Sequence, residues 1–190
     1  MYKKVLSAVA ATAALAALPA APAAATTSQS AEVTITTQLQ HTSTFKESSG
    51  VAFTCPLNEV ITGRKHSGDE NGYTTYYCSR VLVNGEQAVV SPGAWSEPQK
   101  ESSSFYETPA DQAIAGRWHT GDENGSTRYR PATLHWQGRQ LRLAAHVWTG
   151  NLKESSHYSH GTPGEVMVGR AHWGDENGST RYRYATVILG

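Results

Sequence analysis

Gly63-Arg64-Lys65-His66-Ser67-Gly68-Asp69-Glu70-Asn71-Gly72-Tyr73-Thr74-Thr75-Tyr76 returns twice in the chain, as Gly116-Arg117-Trp118-His119-Thr120-Gly121-Asp122-Glu123-Asn124-Gly125-Ser126-Thr127-Arg128-Tyr129 and as Gly169-Arg170-Ala171-His172-Trp173-Gly174-Asp175-Glu176-Asn177-Gly178-Ser179-Thr180-Arg181-Tyr182. The interval, from Gly63 to Gly116 and from Gly116 to Gly169, is 53 residues both times. A pattern GRxHxGDENGxTxY kept through three copies sets the architecture before any single residue is read.

Each copy extends upstream. Lys46-Glu47-Ser48-Ser49 recurs at Lys100 and Lys153, His41, Trp95 and Trp148 stand five residues ahead of those lysines, and Pro56, Pro109 and Pro163 follow. The flanks of copies two and three differ widely while GDENGSTRYR is shared. Repeats of about 53 residues are therefore expected at 33–92, 93–145 and 146–190, within one domain spanning 26–190.

The first 25 residues read as a secretory signal. Lys3 and Lys4 precede an Ala- and Leu-rich run from Val5 to Leu18, and Ala23-Ala24-Ala25 offers a small-residue cleavage site. This predicts a secreted, extracellular protein with no membrane insertion. Without the leader's two lysines, 14 basic residues face 16 acidic ones, a formal charge of −2. That balance excludes the basic footprint of a nucleic-acid binder.

Cys55 and Cys78 are the two cysteines, both in the first copy and without metal-finger spacing, so a single disulfide is expected in an oxidising compartment. No helical apolar periodicity follows the leader. Alternating stretches at Val33–Leu39, Val60–His66, Thr74–Val83, Ala113–His119, Thr127–Trp136, Leu141–Trp148 and Thr180–Leu189, punctuated by Asn84-Gly85 and Gln137-Gly138, predict short antiparallel strands. The fold class is all-β, with three-fold β-trefoil-like pseudosymmetry expected first and a β-prism as the alternative. Copy three ends without a hairpin partner for its last strand, so Val33–Leu39 is expected to fill that place and close the assembly. Gly63, inside a strand, marks a bulge or the close approach of another group.

Around each loop the sequence gathers a guanidinium, an imidazole, two carboxylates and an amide, a set that suits the adjacent hydroxyls of a sugar. Trp118 and Trp173 add the flat apolar surface against which a pyranose can stack. The candidate carbohydrate-binding residues are Arg64, His66, Asp69, Glu70 and Asn71 in copy one; Arg117, Trp118, His119, Asp122, Glu123 and Asn124 in copy two; and Arg170, His172, Trp173, Asp175, Glu176 and Asn177 in copy three. Copy one, lacking Trp, is expected to be the weakest site.

A competing reading takes the Arg and carboxylates as a structural ion cluster and the glycines as turn formers. The Lys-Glu-Ser-Ser turns read as solvated, Trp95 and Trp148 as buried anchors, and Tyr76, Tyr129 and Tyr182 as either core or site. Calcium is disfavoured by the neighbouring Arg and the absence of an EF-hand spacing, so neither metal nor other cofactor is expected. No nucleophile elbow, HExxH or catalytic cysteine marks an enzyme.

The secreted leader with three GRxHxGDENGxTxY copies resembles the actinomycete (Streptomyces-type) hemagglutinin family, over Phe45 to Gly190. That resemblance implies a multivalent lectin recognising L-rhamnose or D-galactose on cell-surface or polysaccharide glycans. A secreted protein-binding module or protease inhibitor, or a calcium-binding structural repeat protein, are the alternatives.

Overall fold

A computed structural model describes residues 32–190, apart from Glu70, Asn71, Glu123 and Glu176. The expected signal segment lies outside the described residues. Val33–Gly190 forms one compact unit, and no helix among the described residues is long and apolar enough to cross a membrane.

The chain is all-β. Its strands are β1 (Ile35–Lys46), β2 (Ala52–Thr54), β3 (Val60–Ser67), β4 (Tyr73–Val83), β5 (Glu86–Gln87), β6 (Val89–Pro92), β7 (Gln99–Lys100), β8 (Phe105–Glu107), β9 (Gln112–Thr120), β10 (Ser126–Trp136), β11 (Arg139–Gln140), β12 (Arg142–Trp148), β13 (Leu152–Lys153), β14 (Ser156–His160), β15 (Glu165–Trp173) and β16 (Ser179–Ile188). Single 3-10 turns at Glu47–Ser49 and Glu101–Ser103 carry the first two Lys-Glu-Ser-Ser segments. Asn84-Gly85 and Gln137-Gly138 turn with positive φ at both positions, the geometry a two-residue hairpin needs to match strand twist.

Three antiparallel sheets result, each built on one motif hairpin. The first runs β1-β4-β3-β14; the second has β6 and β7 against β10, then β9 and β2; the third has β12 and β13 against β16, then β15 and β8. The fourth strand of every sheet comes from another copy. β2 leaves copy one for the second sheet, β8 leaves copy two for the third, and β14 of copy three returns to the first.

This exchange corrects the expected closure. β1 pairs β4 alone, inside the first sheet. The segments that looked like hairpin partners of copies one and two fill that role only through the two-residue strands β5 and β11, and continue as β6 and β12, the opening strands of the following sheets. β14, pairing with β3 through Tyr158↔Lys65 and Ser159↔Arg64, makes the link between last and first copies.

A bulge makes the exchange possible. In each hairpin the register slips by one residue, leaving Thr62, Ala115 and Val168 outside regular pairing. The carbonyl so freed accepts a hydrogen bond from the incoming strand: Gly161 N–H donates to Thr62 O (2.9 Å), Cys55 N–H to Ala115 O (2.8 Å) and Thr108 N–H to Val168 O (2.9 Å). The glycine that follows each bulge lets the strand close in. A Cβ on Gly63 would stand 2.9 Å from Ser159 O, one on Gly169 2.9 Å from Tyr106 O, and one on Gly116 closer still to Phe53 O.

Inward positions form two apolar clusters. Val60, Val81, Val83, Leu134, Leu141, Val166, Val187 and their neighbours from all three sheets make an aliphatic one; Phe53, Ile61, Tyr76, Tyr106, Ile114, Tyr129, Met167 and Tyr182 make an aromatic one. Cys55 and Cys78 are bonded, with Cα atoms 5.7 Å apart. Since Cys55 follows β2 in the second sheet and Cys78 lies on β4 in the first, the bridge staples two sheets across their seam.

Candidate functional site

Along β3, β9 and β15 the residue after the glycine is the motif arginine, and these three strands pack against one another. Arg64, Arg117 and Arg170 are between 1 and 3 % exposed. A buried guanidinium needs anionic partners, and the Lys-Glu-Ser-Ser turns supply them. Glu47 pairs with Arg64 (3.2 Å) and with Arg117; Glu101 with Arg117 (3.0 Å) and Arg170 (2.7 Å); Glu154 with Arg170 (3.2 Å) and Arg64 (3.1 Å). Three arginines and three glutamates thus alternate in a closed, neutral ring that passes through all three copies.

Backbone and phenol groups complete it. Glu47, Glu101 and Glu154 are each held by an N–H bond to Gly72 O, Gly125 O and Gly178 O of their own motif loops (3.0, 3.0 and 3.1 Å). Arg117 donates to Tyr76 Oη (3.1 Å), Arg170 to Tyr129 Oη (3.3 Å) and Arg64 to Tyr182 Oη (2.6 Å). Burial by itself would push the glutamate carboxyls up, but the flanking guanidinium groups outweigh it and hold all three well below the usual range. His66, His119 and His172, also buried, donate from Nε2 to Gly68 O, Gly121 O and Gly174 O (3.1, 3.0 and 3.0 Å), fixing the start of each loop.

His157 lies at the seam between third and first sheets and has no histidine counterpart in the other copies. Its Nδ1 donates to Lys153 O (2.9 Å), leaving Nε2 to accept from Tyr182 Oη (2.7 Å) and Arg64 Nη1 (3.2 Å). Burial and the Arg64 charge push its pKa down to about 4.

The sequence candidates therefore separate into two groups. Arg64, His66, Arg117, His119, Arg170 and His172 are buried, their polar atoms turned to one another, to glutamates or to backbone. Asp69, Asp122 and Asp175 are exposed at the loops, as are Asn124 and Asn177; Asp122 and Asp175 accept from the N–H groups of Asn124 and Asn177 (2.9 Å each) and so hold the loop turn. Glu70, Asn71, Glu123 and Glu176 lie outside the described residues. Glu47, Glu101 and His119 approach one another closely enough for a metal, but Arg117 already bridges both carboxylates there, with Arg64 and Arg170 completing their charge balance.

The solvated reading of the Lys-Glu-Ser-Ser turns missed the ring glutamates, which are buried. The signal was available: each recurs 16 or 17 residues ahead of a motif arginine.

Outward positions of the same hairpins carry a different surface. On the second sheet Arg128 lies 5.6 Å from the Trp118 ring and Arg130 5.9 Å from Trp95, with the two indoles edge to face at 6.2 Å. Trp118, Thr120, Ser126 and Arg128 line a hollow of about 230 Å³ beside the loop. On the third sheet Arg181 stands between Trp148 (5.5 Å) and Trp173 (5.1 Å), and Arg183 faces Trp148 at 6.0 Å. Trp95 and Trp148 are thus half-exposed parts of a face, not buried anchors. Compared with protein-family models, curated proteins and solved structures, the chain has no match in any of the three.

Proposed function

We propose that the protein is a secreted, multivalent glycan-binding protein, a lectin or hemagglutinin of the kind its repeats resemble, and not an enzyme. The observation that carries this reading is the pairing of half-exposed indoles with guanidinium groups on two homologous faces. Trp173, 41 % exposed, and Trp118 offer rings on which the C–H face of a pyranose can stack, while Arg128 and Arg181 have no carboxylate partner among the described residues. The exposed loop residues Asp122, Asn124, Asp175 and Asn177 stand at the end of the same hairpins, where they can meet sugar hydroxyls. Neutral sugars of the L-rhamnose or D-galactose type suit such a mixed set of acids and bases.

The buried arginines and histidines then shape the protein, and the ligand contacts move to the outer face. Two or more sites on separate sheets suit avidity, which can raise binding by roughly 10²–10⁴ over one site. The three sheets joined by exchanged strands favour a pseudo-threefold arrangement of the prism type over a trefoil barrel.

Sugar-inhibited hemagglutination tests the reading. Trp118→Ala and Trp173→Ala together are expected to reduce agglutination at least tenfold with circular dichroism and melting temperature unchanged. Full agglutination by that variant, or binding to no glycan by the parent protein, would remove its support.

A further inference from the structure

We propose that the outer face of the first sheet is a third saccharide site, assembled between copies one and three, with Tyr158 as its stacking ring and an uncharged sugar as its occupant. The inference rests on the glycan-binding reading and adds a site that the repeats conceal. Copy one has Lys65 and Thr75 where copy two has Trp118 and Arg128, so its own residues suggest an empty face. The exchanged strand changes that.

Pairing places Thr44 opposite Thr75, Thr75 opposite Lys65, and Lys65 opposite Tyr158, a single row across all four strands. Neighbours in such a row are about 4.8 Å apart, so the row spans roughly the width of two sugar rings. In the next row Thr42 faces Tyr77, Tyr77 faces Gly63, and Gly63 faces His160. Gly63, with no side chain, lets the His160 ring lie over its Cα, where a Cβ would stand 2.5 Å from the imidazole.

Tyr158 is 59 % exposed, yet its ring is set from two sides. It meets Tyr77 edge-on at 5.6 Å and lies near-parallel to His160 at 6.4 Å, and Tyr77 contacts His160 at 5.8 Å. His160 is itself fixed by Gly161 O (2.7 Å). An exposed aromatic ring whose orientation is settled before binding loses little freedom when a ligand stacks on it. The Lys65 ammonium beside the ring and, further along the row, the Thr75 and Thr44 hydroxyls, 2.7 Å apart, supply hydrogen-bonding groups. The row carries one cation, and Asp69 is exposed at the tip of the same hairpin, so the face has no excess of positive charge to favour an acidic sugar.

The second and third sheets thus carry aromatic rings on their motif strands β9 and β15, with β12 adding one in the third, whereas the first sheet carries its ring on the exchanged strand β14. Calorimetric titration of the full chain with D-galactose and with L-rhamnose tests this. Three sites are expected in the parent protein. The Trp118→Ala/Trp173→Ala variant should retain one site, and adding Tyr158→Ala should weaken that site at least tenfold, with Tyr158→Trp restoring it. Two sites in the parent, unchanged by Tyr158→Ala, would overturn the third site while leaving the glycan reading standing; no binding of either sugar by the parent would overturn both. Binding of D-glucuronate at the residual site in place of the neutral sugars would overturn the uncharged occupant. Unchanged circular dichroism separates loss of binding from loss of fold.

Discussion

Arg64 Nη1 donates to Tyr182 Oη at 2.6 Å, joining the first motif strand to the last through the ion ring. The same guanidinium contacts Glu154, Glu47 and His157, so four residues from two copies meet on one side chain. Removing one member of a buried, hydrogen-bonded ion pair leaves its partner charged and unpaired, at a cost of about 3–5 kcal/mol. Glu101→Gln is expected to lose that much in urea unfolding, because Arg117 and Arg170 both depend on Glu101.

Acid should loosen the seam held by His157. Its folded pKa of about 4 lies below the ordinary 6.5, so the unfolded chain takes up the proton first. The stability tied to its neutral form is present above pH 6.5 and is lost as pH falls toward 4, by on the order of 3 kcal/mol at the limit. His66, also pushed down by burial and Arg64, acts in the same direction. Melting temperature measured from pH 7 to pH 4 should fall less steeply in His157→Gln than in the parent.

Gly116 is needed for backbone approach. An added methyl would press on Phe53 O, and overpacking of this kind typically costs about 1–3 kcal/mol. Gly116→Ala should therefore melt lower than the parent. Gly150→Ala, where nothing lies within 4 Å, should change stability by less than about 0.5 kcal/mol.

Reduction of Cys55–Cys78 should cost about 3 kcal/mol in the loop-entropy model. Hydrogen exchange would locate the effect. Amides at the β2–β9 seam, led by Cys55 N–H, are expected to exchange faster after reduction, while the β15–β16 hairpin keeps its protection.

Chelation should leave agglutination intact. Among the described residues, the one group of three carboxylate and histidine ligands close enough together for a metal is the one around Arg117, and a divalent cation there would face that guanidinium. Loss of activity in EDTA with recovery in calcium would contradict this expectation.

The motif copies made the hairpins legible in the sequence, because alternation and turn chemistry are local. Gly63 was readable as a bulge or close approach, and it marks both: the bulge at Thr62 and the crossing of Ser159. Strand exchange was not readable. β5 follows β4 after a two-residue turn and pairs with it, yet β6, one residue further on, pairs with β10, and nothing in its own residues records which partner it will find. The site divided for a similar reason. Arg117 and Trp118 are neighbours in sequence, but alternation along β9 sends one into the ring and the other toward solvent. A list of polar residues near a loop could not make that distinction without knowing which face is inward.

Because β14 completes the first sheet, the earliest hairpin of the chain waits for residues 156–160, made after the second hairpin and just ahead of the third. Completion of the first sheet therefore runs against the order of synthesis. The first sheet remains with an open edge at β3 until copy three arrives, and contacts of such long sequence separation form slowly. Folding should be concerted and late, with no stable one- or two-copy intermediate. A chain truncated after Trp148 would expose the β3 edge and leave Arg64 without Glu154 and Tyr182, and Glu101 and Tyr129 without Arg170, giving a species prone to pair with copies of itself.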